Sequence, residues 1–187
     1  MCFHNFALIS DTHGVPATIQ QALDEFKRYE VDLIVHCGDI VDPNVIKYFN
    51  DYKTEFVFGN GDFCRPALIS AIESIGGNYH EVSGSVEWHG NRVFFTHGHV
   101  EKALKEAVSG DEWDLVCYGH LHKRKIRQYG DTLILNPGSL GEGSFCIVGD
   151  DLSVSFFGPD GAAGSFFPDE FYELDDIEEL FVRSNDF

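Results

Sequence analysis

Seven donor side chains in this sequence stand just past the ends of apolar runs. Asp11 and His13 follow FALIS, Asp39 follows VDLIV, Asn60 closes TEFVFGN, His97 follows a fourth run, and His120 and His122 follow LVCY. Carboxylates, imidazoles and one carboxamide, with no thiolate among them, form a donor set for hard or borderline divalent ions such as Mn²⁺, Fe²⁺, Ni²⁺ or Zn²⁺. There are more donors than one ion requires, and a bridging carboxylate is the usual device for holding two ions roughly 3.5–4 Å apart. Such a pair suits in-line displacement at phosphorus, because it activates water as hydroxide and neutralises the oxygens that gain charge. Phosphoester hydrolysis is the chemistry these residues point to.

The elements that must position them are legible from periodicity. The run 31–42, VDLIVHCGDIVD, reads as a buried strand ending abruptly in Gly38-Asp39, which delivers a carboxylate to the open C-terminal edge of a sheet. Alone, Gly-Asp after a strand is more often a turn; five strand ends bearing donors argue for a site. FALIS is a short strand, and Pro16 opens a helix whose Ile19, Ala22, Leu23 and Phe26 follow helical spacing. Residues 43–50 read as a helix, TEFVFGN as a strand and 66–75 as a helix, so the first half is a largely parallel sheet covered by helices. In the second half, 79–96 form a hairpin around His89-Gly90-Asn91, 101–108 a helix and LVCY a strand. KIRQY, LILN, FCIV and VSFF follow, separated by turn residues, so antiparallel strands dominate. Each half is expected to supply one sheet of an α/β sandwich with helices outside.

Composition narrows the function classes. The 187 residues are 43% hydrophobic, enough for one substantial core, and show no linker or repeat. A formal net charge of −18 opposes binding to nucleic acid and to anionic membranes. No apolar run reaches the roughly 18 residues needed to span a bilayer, and MCFHNFALIS has no basic leader segment. The five cysteines are odd in number, scattered and without a C-x-x-C pair, which disfavours both a disulfide framework and a thiolate zinc site. The reducing cytoplasm is the expected compartment.

Taken in order, Asp11-x-His13, Gly38-Asp39-x-x-Asp42, Gly59-Asn60-x-Asp62, His97-Gly98-His99 and Gly119-His120-x-His122 resemble the motifs of the calcineurin-like metallophosphoesterases, in particular the small bacterial and archaeal phosphodiesterases. The resemblance covers residues 6–158 and implies a four-layer α-β-β-α sandwich of two mixed sheets. It also implies two divalent ions, manganese first among them. Asp11, His13, Asp39 and His122 would hold one, and Asp39, Asn60, His97 and His120 the other, with Asp39 as the bridge. A small phosphodiester or phosphate ester would be attacked by a hydroxide between the ions, with Asp39, Asn60 and His99 as the catalytic side chains. One position departs from the family. Where many members have Asn-His-Glu or Asn-His-Asp, with the histidine serving the leaving oxygen, this chain has Asn60-Gly61-Asp62. Leaving groups that need no proton should then be favoured, with His99, Asp62 or a water left to supply one. A side chain at Gly61 would be strained if its φ is positive.

Other residues have plainer readings. His4, His80 and His89 end no apolar run and read as surface or turn histidines. His36 is either a support for the site or a packed core residue. Cys37, Cys117 and Cys146 read as core, and the basic run at 123–127 as a solvated strand face. Asn136-Pro137-Gly138-Ser139 resembles the family's turn near the metals, although an ordinary turn would read the same. Residues 1–158 are expected to form the metallophosphoesterase domain and 159–187 an acidic extension. Within the extension, Phe171, Leu174, Ile177, Leu180 and Phe181 are spaced as on a short helix, which would dock on its own domain or, failing that, on a second copy in a homodimer. A catalytically silent protein-binding scaffold with this fold is the alternative to an enzyme.

Overall fold

Two sheets carry the donors. A computed structural model describes residues 4–159, 161–166, 174 and 176–180. In chain order its elements begin with β1 (Asn5–Ile9), α1 (Pro16–Arg28), β2 (Val31–His36), a 3₁₀ helix (Pro43–Phe49), β3 (Lys53–Val57), α2 (Arg65–Ser74) and β4 (Asn78–His80). They continue with β5 (Ser83–Trp88), β6 (Asn91–Thr96), α3 (Glu101–Ser109), β7 (Leu115–Cys117), β8 (Arg124–Tyr129) and β9 (Thr132–Pro137). The last strands are β10 (Phe145–Gly149), β11 (Val154–Gly158) and β12 (Gly161–Phe166). The first sheet has the order β12-β11-β10-β1-β2-β3-β4 and the second β5-β6-β7-β9-β8.

Four layers follow from which faces are apolar. Ala7, Ile9, Ile34 and Phe56 face one way from the first sheet, onto Ile19, Ala22, Leu23 and Phe26 of α1 and Leu68 and Ile72 of α2. Phe6, Leu8, Leu33 and Val35 alternate with them and face Val93, Phe95, Leu115 and Leu135 of the second sheet. The outer face of the second sheet, with Val116 and Ile134, is covered by Leu104, Ala107 and Val108 of α3. Each fully buried side chain of this size stabilises the fold by about 1.5–3 kcal/mol, so period-2 alternation in the strands and 3.6-residue periodicity in the helices select this α-β-β-α arrangement. Pro16 starts α1, and Lys27 and Arg28 sit in its last turn, where they complement the helix dipole. Cys37, Cys117 and Cys146 lie fully buried between the sheets.

The sheets do not divide between the chain halves as the sequence reading expected. β10, β11 and β12 join the first sheet through an antiparallel pairing of β10 with β1, and β6-β7-β9 in the second sheet pair in parallel. Without β10, the free edge of β1 would leave a row of unpaired backbone groups in the core. Two local elements also differ. Residues 43–49 form a 3₁₀ helix capped by Asp42, whose carboxylate accepts the N–H of Asn44 at 2.9 Å. β3 ends at Val57, so Asn60 lies in the loop beyond it.

β12 pairs with β11, so the chain continues into the first sheet beyond Gly158. Most of the helix expected after Asp169 lies outside the described residues; within it, Ile177–Leu180 form a 3₁₀ turn. Leu174 and Leu180 are buried on the outer face of the second sheet, and the N–H of Leu174 donates to Gln128 O at 2.8 Å.

Candidate metal centre

All seven predicted donors reach one edge of the sandwich. β1, β2 and β3 run in parallel, as do β6 and β7, so their C-terminal ends open on the same side and the loops after them carry Asp11 and His13, Asp39, Asn60, His97, and His120 with His122. These loops turn sharply. Asp11, His13, Asp39, Val41, His120 and His122 all adopt positive φ, between 45° and 69°. Such conformations cost of order 1–3 kcal/mol each and persist where the surroundings over-determine them. Two glycines allow the loops to touch. A Cβ at Gly59 would stand 2.1 Å from Asp39 Oδ1, and one at Gly119 would stand 1.9 Å from Ser10 Oγ.

Two donor groups result. Asp11, His13 and His122 form one and Asp11, Asp39 and His97 the other, with the ligand atoms of each group within 4.8 Å of one another. Asp11 thus belongs to both, whereas the sequence reading expected Asp39 to be the shared residue. Hydrogen bonds fix two imidazoles in ligand-ready tautomers. His97 Nδ1 lies 2.7 Å from the carbonyl oxygen of Cys37, which can only accept, so in the neutral ring Nδ1 carries the proton and Nε2 presents a lone pair. That lone pair faces Asn60 Oδ1 at 3.1 Å and Asp39 Oδ1 at 3.5 Å. His122 Nδ1 lies 3.2 Å from Glu142 Oε1, which leaves Nε2 facing Asp11 Oδ1 at 3.1 Å and His13 Nε2 at 3.3 Å. Asp11 Oδ1 is fully buried and has no hydrogen-bond partner among the described residues.

With Nδ1 as the protonated nitrogen of the His97 and His122 rings, the Nε2 atoms and side-chain oxygens that face one another across 3.1–3.5 Å offer lone pairs to a shared cation. The spacing also fits: ligand atoms around an ion with bonds of 2.0–2.2 Å are separated by about 3–3.4 Å. The donor set therefore suits divalent ions. His120 adjoins the second group without belonging to either, its ring 5.1 Å from that of His97 and its backbone N–H donating to Asp11 Oδ2 at 3.0 Å. His99 packs 5.2 Å from the His97 ring, turned toward the site by Gly98 at φ 97°. Its Nδ1 is buried without a hydrogen-bond partner among the described residues. Burial, followed by the neighbouring His97 and His120, holds its pKa below the usual imidazole value.

A supporting shell emerges that sequence reasoning only partly reached. Asp62 is almost fully buried and accepts three backbone N–H groups, from Asp39 at 2.9 Å, Gly59 at 2.8 Å and Val41 at 2.8 Å. It thus ties the Asp39 and Asn60 loops together; burial is the leading cause that raises its pKa. Glu142, which was not anticipated, orients His122; only its nearness in space reveals it, because it is 20 residues away in sequence. His36 fills both roles considered for it. It stacks on Phe56 at 5.4 Å, accepts Gly38 N–H at Nδ1, and meets Thr12 Oγ1 at 3.1 Å. The turn after β9 serves the site as well: Asn136 Nδ2 donates to Gly119 O at 2.7 Å and Ser139 Oγ to Asp11 O at 2.9 Å. Asp42 caps a helix instead of facing the ligands. At Gly61 the φ is not in the left-handed region, so the expected obstacle changes: a Cβ there would lie 3.0 Å from Asp39 Oδ1. Gly61 N–H donates to that same oxygen at 2.6 Å. His80 pairs with Glu55 at 2.9 Å, and His4 and His89 lie at the opposite end of the strands.

Comparisons with known proteins agree with this fold. Residues 5–148 match the calcineurin-like phosphoesterase superfamily domain. Phosphodiesterase MJ0936 of Methanocaldococcus jannaschii is 34% identical over 134 residues, which cover 70% of this chain and 81% of that protein. A solved archaeal phosphodiesterase superposes with a TM-score of 0.70 at 28% identity, covering 83% of this chain and 94% of the other. Vacuolar protein sorting 29 from Cryptosporidium parvum shares the fold, with a TM-score of 0.66 at 17% identity over 88% of this chain and 98% of its own. The edge that gathers two carboxylates and four facing imidazoles is thus built on a domain whose relatives are matched across most of their length, and the chain belongs to the calcineurin-like phosphoesterase superfamily.

Proposed function

We propose that the protein is a divalent-metal-dependent phosphodiesterase acting on a small phosphodiester or phosphate ester. The observation that carries this reading is the convergence of His97 Nε2, His122 Nε2 and Asp11 Oδ1, the last buried without a hydrogen-bond partner among the described residues. When bound there, two divalent ions, manganese first and iron, nickel or zinc as alternatives, supply an acidified water and positive charge for the phosphoryl oxygens.

The chain's own groups have distinct roles in this reading. Asp39 is the bridging ligand in this reading, with one carboxylate oxygen held by Gly61 N–H, although Asp11 is the residue common to both donor groups. Asp11, His13 and His122 serve one ion; Asn60, His97 and His120 serve the other. The exposed Asn60 leaves its carboxamide N–H groups to hold a phosphate oxygen. Because its pKa is lowered, His99 acts as a neutral hydrogen-bond donor to the phosphate more readily than as an imidazolium acid. No positioned acid then stands at Gly61, so esters with acidic alcohols are the preferred class.

Four free cysteines among the described residues accord with a reducing cytoplasm, and no described helix is long and apolar enough to cross a membrane. The scaffold reading shares the fold but gives no reason to retain every donor. The test is hydrolysis of an aryl phosphodiester before and after exhaustive chelation, with metal content measured. Activity should vanish on chelation and return on adding Mn²⁺; unchanged turnover in verified metal-free protein would sink the proposal.

A further inference from the structure

At the opposite end of the strands a second group of donors meets. His4 immediately precedes β1, Asp32 is the single exposed residue of β2, and His89 lies in the β5–β6 turn. The first two come from one sheet and the third from the other. A register irregularity between Asn5 and Phe6 accompanies the pairing of β1 with β2, and His4 Nδ1 lies 3.1 Å from Asp32 Oδ2. His89 and Gly90 have φ of 46° and 91°, the paired positive values of a tight hairpin turn for which Asn-Gly is the usual sequence. The His89 ring stacks on His4 at 3.9 Å with an 18° tilt, and Trp88 packs edge-on against it at 4.6 Å. The backbone beneath is fixed across the two sheets, because Asn91 Nδ2 donates to Asp150 O at 2.9 Å and Asp150 N–H to His4 O at 3.0 Å.

We propose that His4, Asp32 and His89 form a second cation site, a clasp between the two sheets that takes a borderline divalent ion such as Zn²⁺. One ligand atom from each residue lies within 4.8 Å of the other two. The 3.1 Å approach of His4 to Asp32 matches the roughly 3–3.4 Å separation of ligands around an ion with bonds of 2.0–2.1 Å. Two imidazoles with one carboxylate favour zinc, nickel or cobalt over magnesium and calcium, which take oxygen ligands. His89 and Asp32 are exposed, so a side-chain rotation can bring the His89 ring from its stack on His4 to the ion, and water completes the coordination. An ion bound here joins β1 and β2 to the β5–β6 hairpin and stabilises the folded chain by mass action. The inference is independent of what the first centre hydrolyses.

The test compares the full chain with His89→Asn, which suits the turn's backbone, and with Asp32→Asn. Equilibrium dialysis against Zn²⁺ with metal counting, and thermal melts with and without Zn²⁺, provide the readouts; contributions from the first centre are common to all three proteins. The native chain should bind one more zinc than either variant, and zinc should raise its Tm by several degrees more. Equal zinc counts would overturn the site, and a lower count in the variants with an unchanged zinc-dependent Tm would overturn the clasp.

Discussion

The two ends of the strands use the same backbone conformation for different purposes. At the end opposite the metal centre, Glu30, His89, Asp111 and Leu152 have positive φ and lie partly or fully exposed in turns, where such a conformation simply reverses the chain. At the other end, six non-glycine residues share it, and two of them, Asp11 and Asp39, are buried carboxylates whose ion-pair contacts are with imidazoles. Turn strain of the first kind is offset locally by water and hydrogen bonds. Here the strain is offset by the hydrogen bonds that Asp62, Asn136, Ser139 and Gly61 make to the loops. The comparison teaches that the centre is held in shape by its supports, with two buried carboxylates kept among imidazoles.

The largest effect should come from Asp39→Asn. Removing this charge should lower turnover well beyond the 10–100-fold typical of residues that only orient a ligand. Asp62→Asn should fall within that range. Its amide oxygen can still accept two of the three N–H groups, but its NH₂ would oppose the third, destabilising the loop by about 1–3 kcal/mol. Steady-state rates on metal-replete, folded variants decide the matter: equal losses would mean that Asp39 acts only through the loop.

Acid provides a second way to separate scaffold from site. Burial, reinforced by the nearby His97, lowers the His36 pKa from 6.5 to about 3, and its Nδ1 already accepts a backbone N–H. A proton there would set N–H against N–H. Because the folded pKa is depressed, the stability this histidine contributes is fully present above pH 6.5 and is lost as pH falls toward 3, by up to about 1.4 kcal/mol per pH unit. Denaturant midpoints between pH 7 and pH 5 should show this slope in the native chain and a flatter one in His36→Gln. Parallel slopes would assign the acid sensitivity to other groups.

The smallest effect concerns the leaving group. The native protein should hydrolyse a matched aryl diester faster than its alkyl counterpart, and Gly61→His should narrow that ratio by roughly tenfold, within the range expected of a positioned acid. The added Cβ must displace the Asp39 carboxylate by a few tenths of an ångström, so metal occupancy is measured first. A native enzyme that treats both esters alike would direct attention to His99.

Much of this centre was legible because each donor follows an apolar strand, and an abrupt end to period-2 alternation marks a sheet edge. What was not legible depends on partners distant in sequence. FCIV and VSFF read as strands separated by a turn, and they pair antiparallel, but nothing in them reveals that β10 lies against β1 and not in the second sheet. β12, GAAGSF, has no β-branched residue to mark it. Asp62 was visible as an acid in a motif, yet its grip on three N–H groups exists only once two loops meet. The Asp42 cap, by contrast, is local and follows from an Asp before Pro43-Asn44.

The three cysteines between the sheets make the molecule a reporter of its own opening. Burial raises the thiols of Cys37, Cys117 and Cys146 well above their ordinary pKa, so they are neither accessible nor ionised while the layers stay together, whereas Cys64 is exposed. An alkylating reagent should therefore modify Cys64 at once and, in a chain whose Cys2 is replaced by serine, Cys37, Cys117 and Cys146 together, at a rate set by how often the two sheets part. Labelling kinetics then measure separation of the layers directly, with the fast thiol as an internal clock.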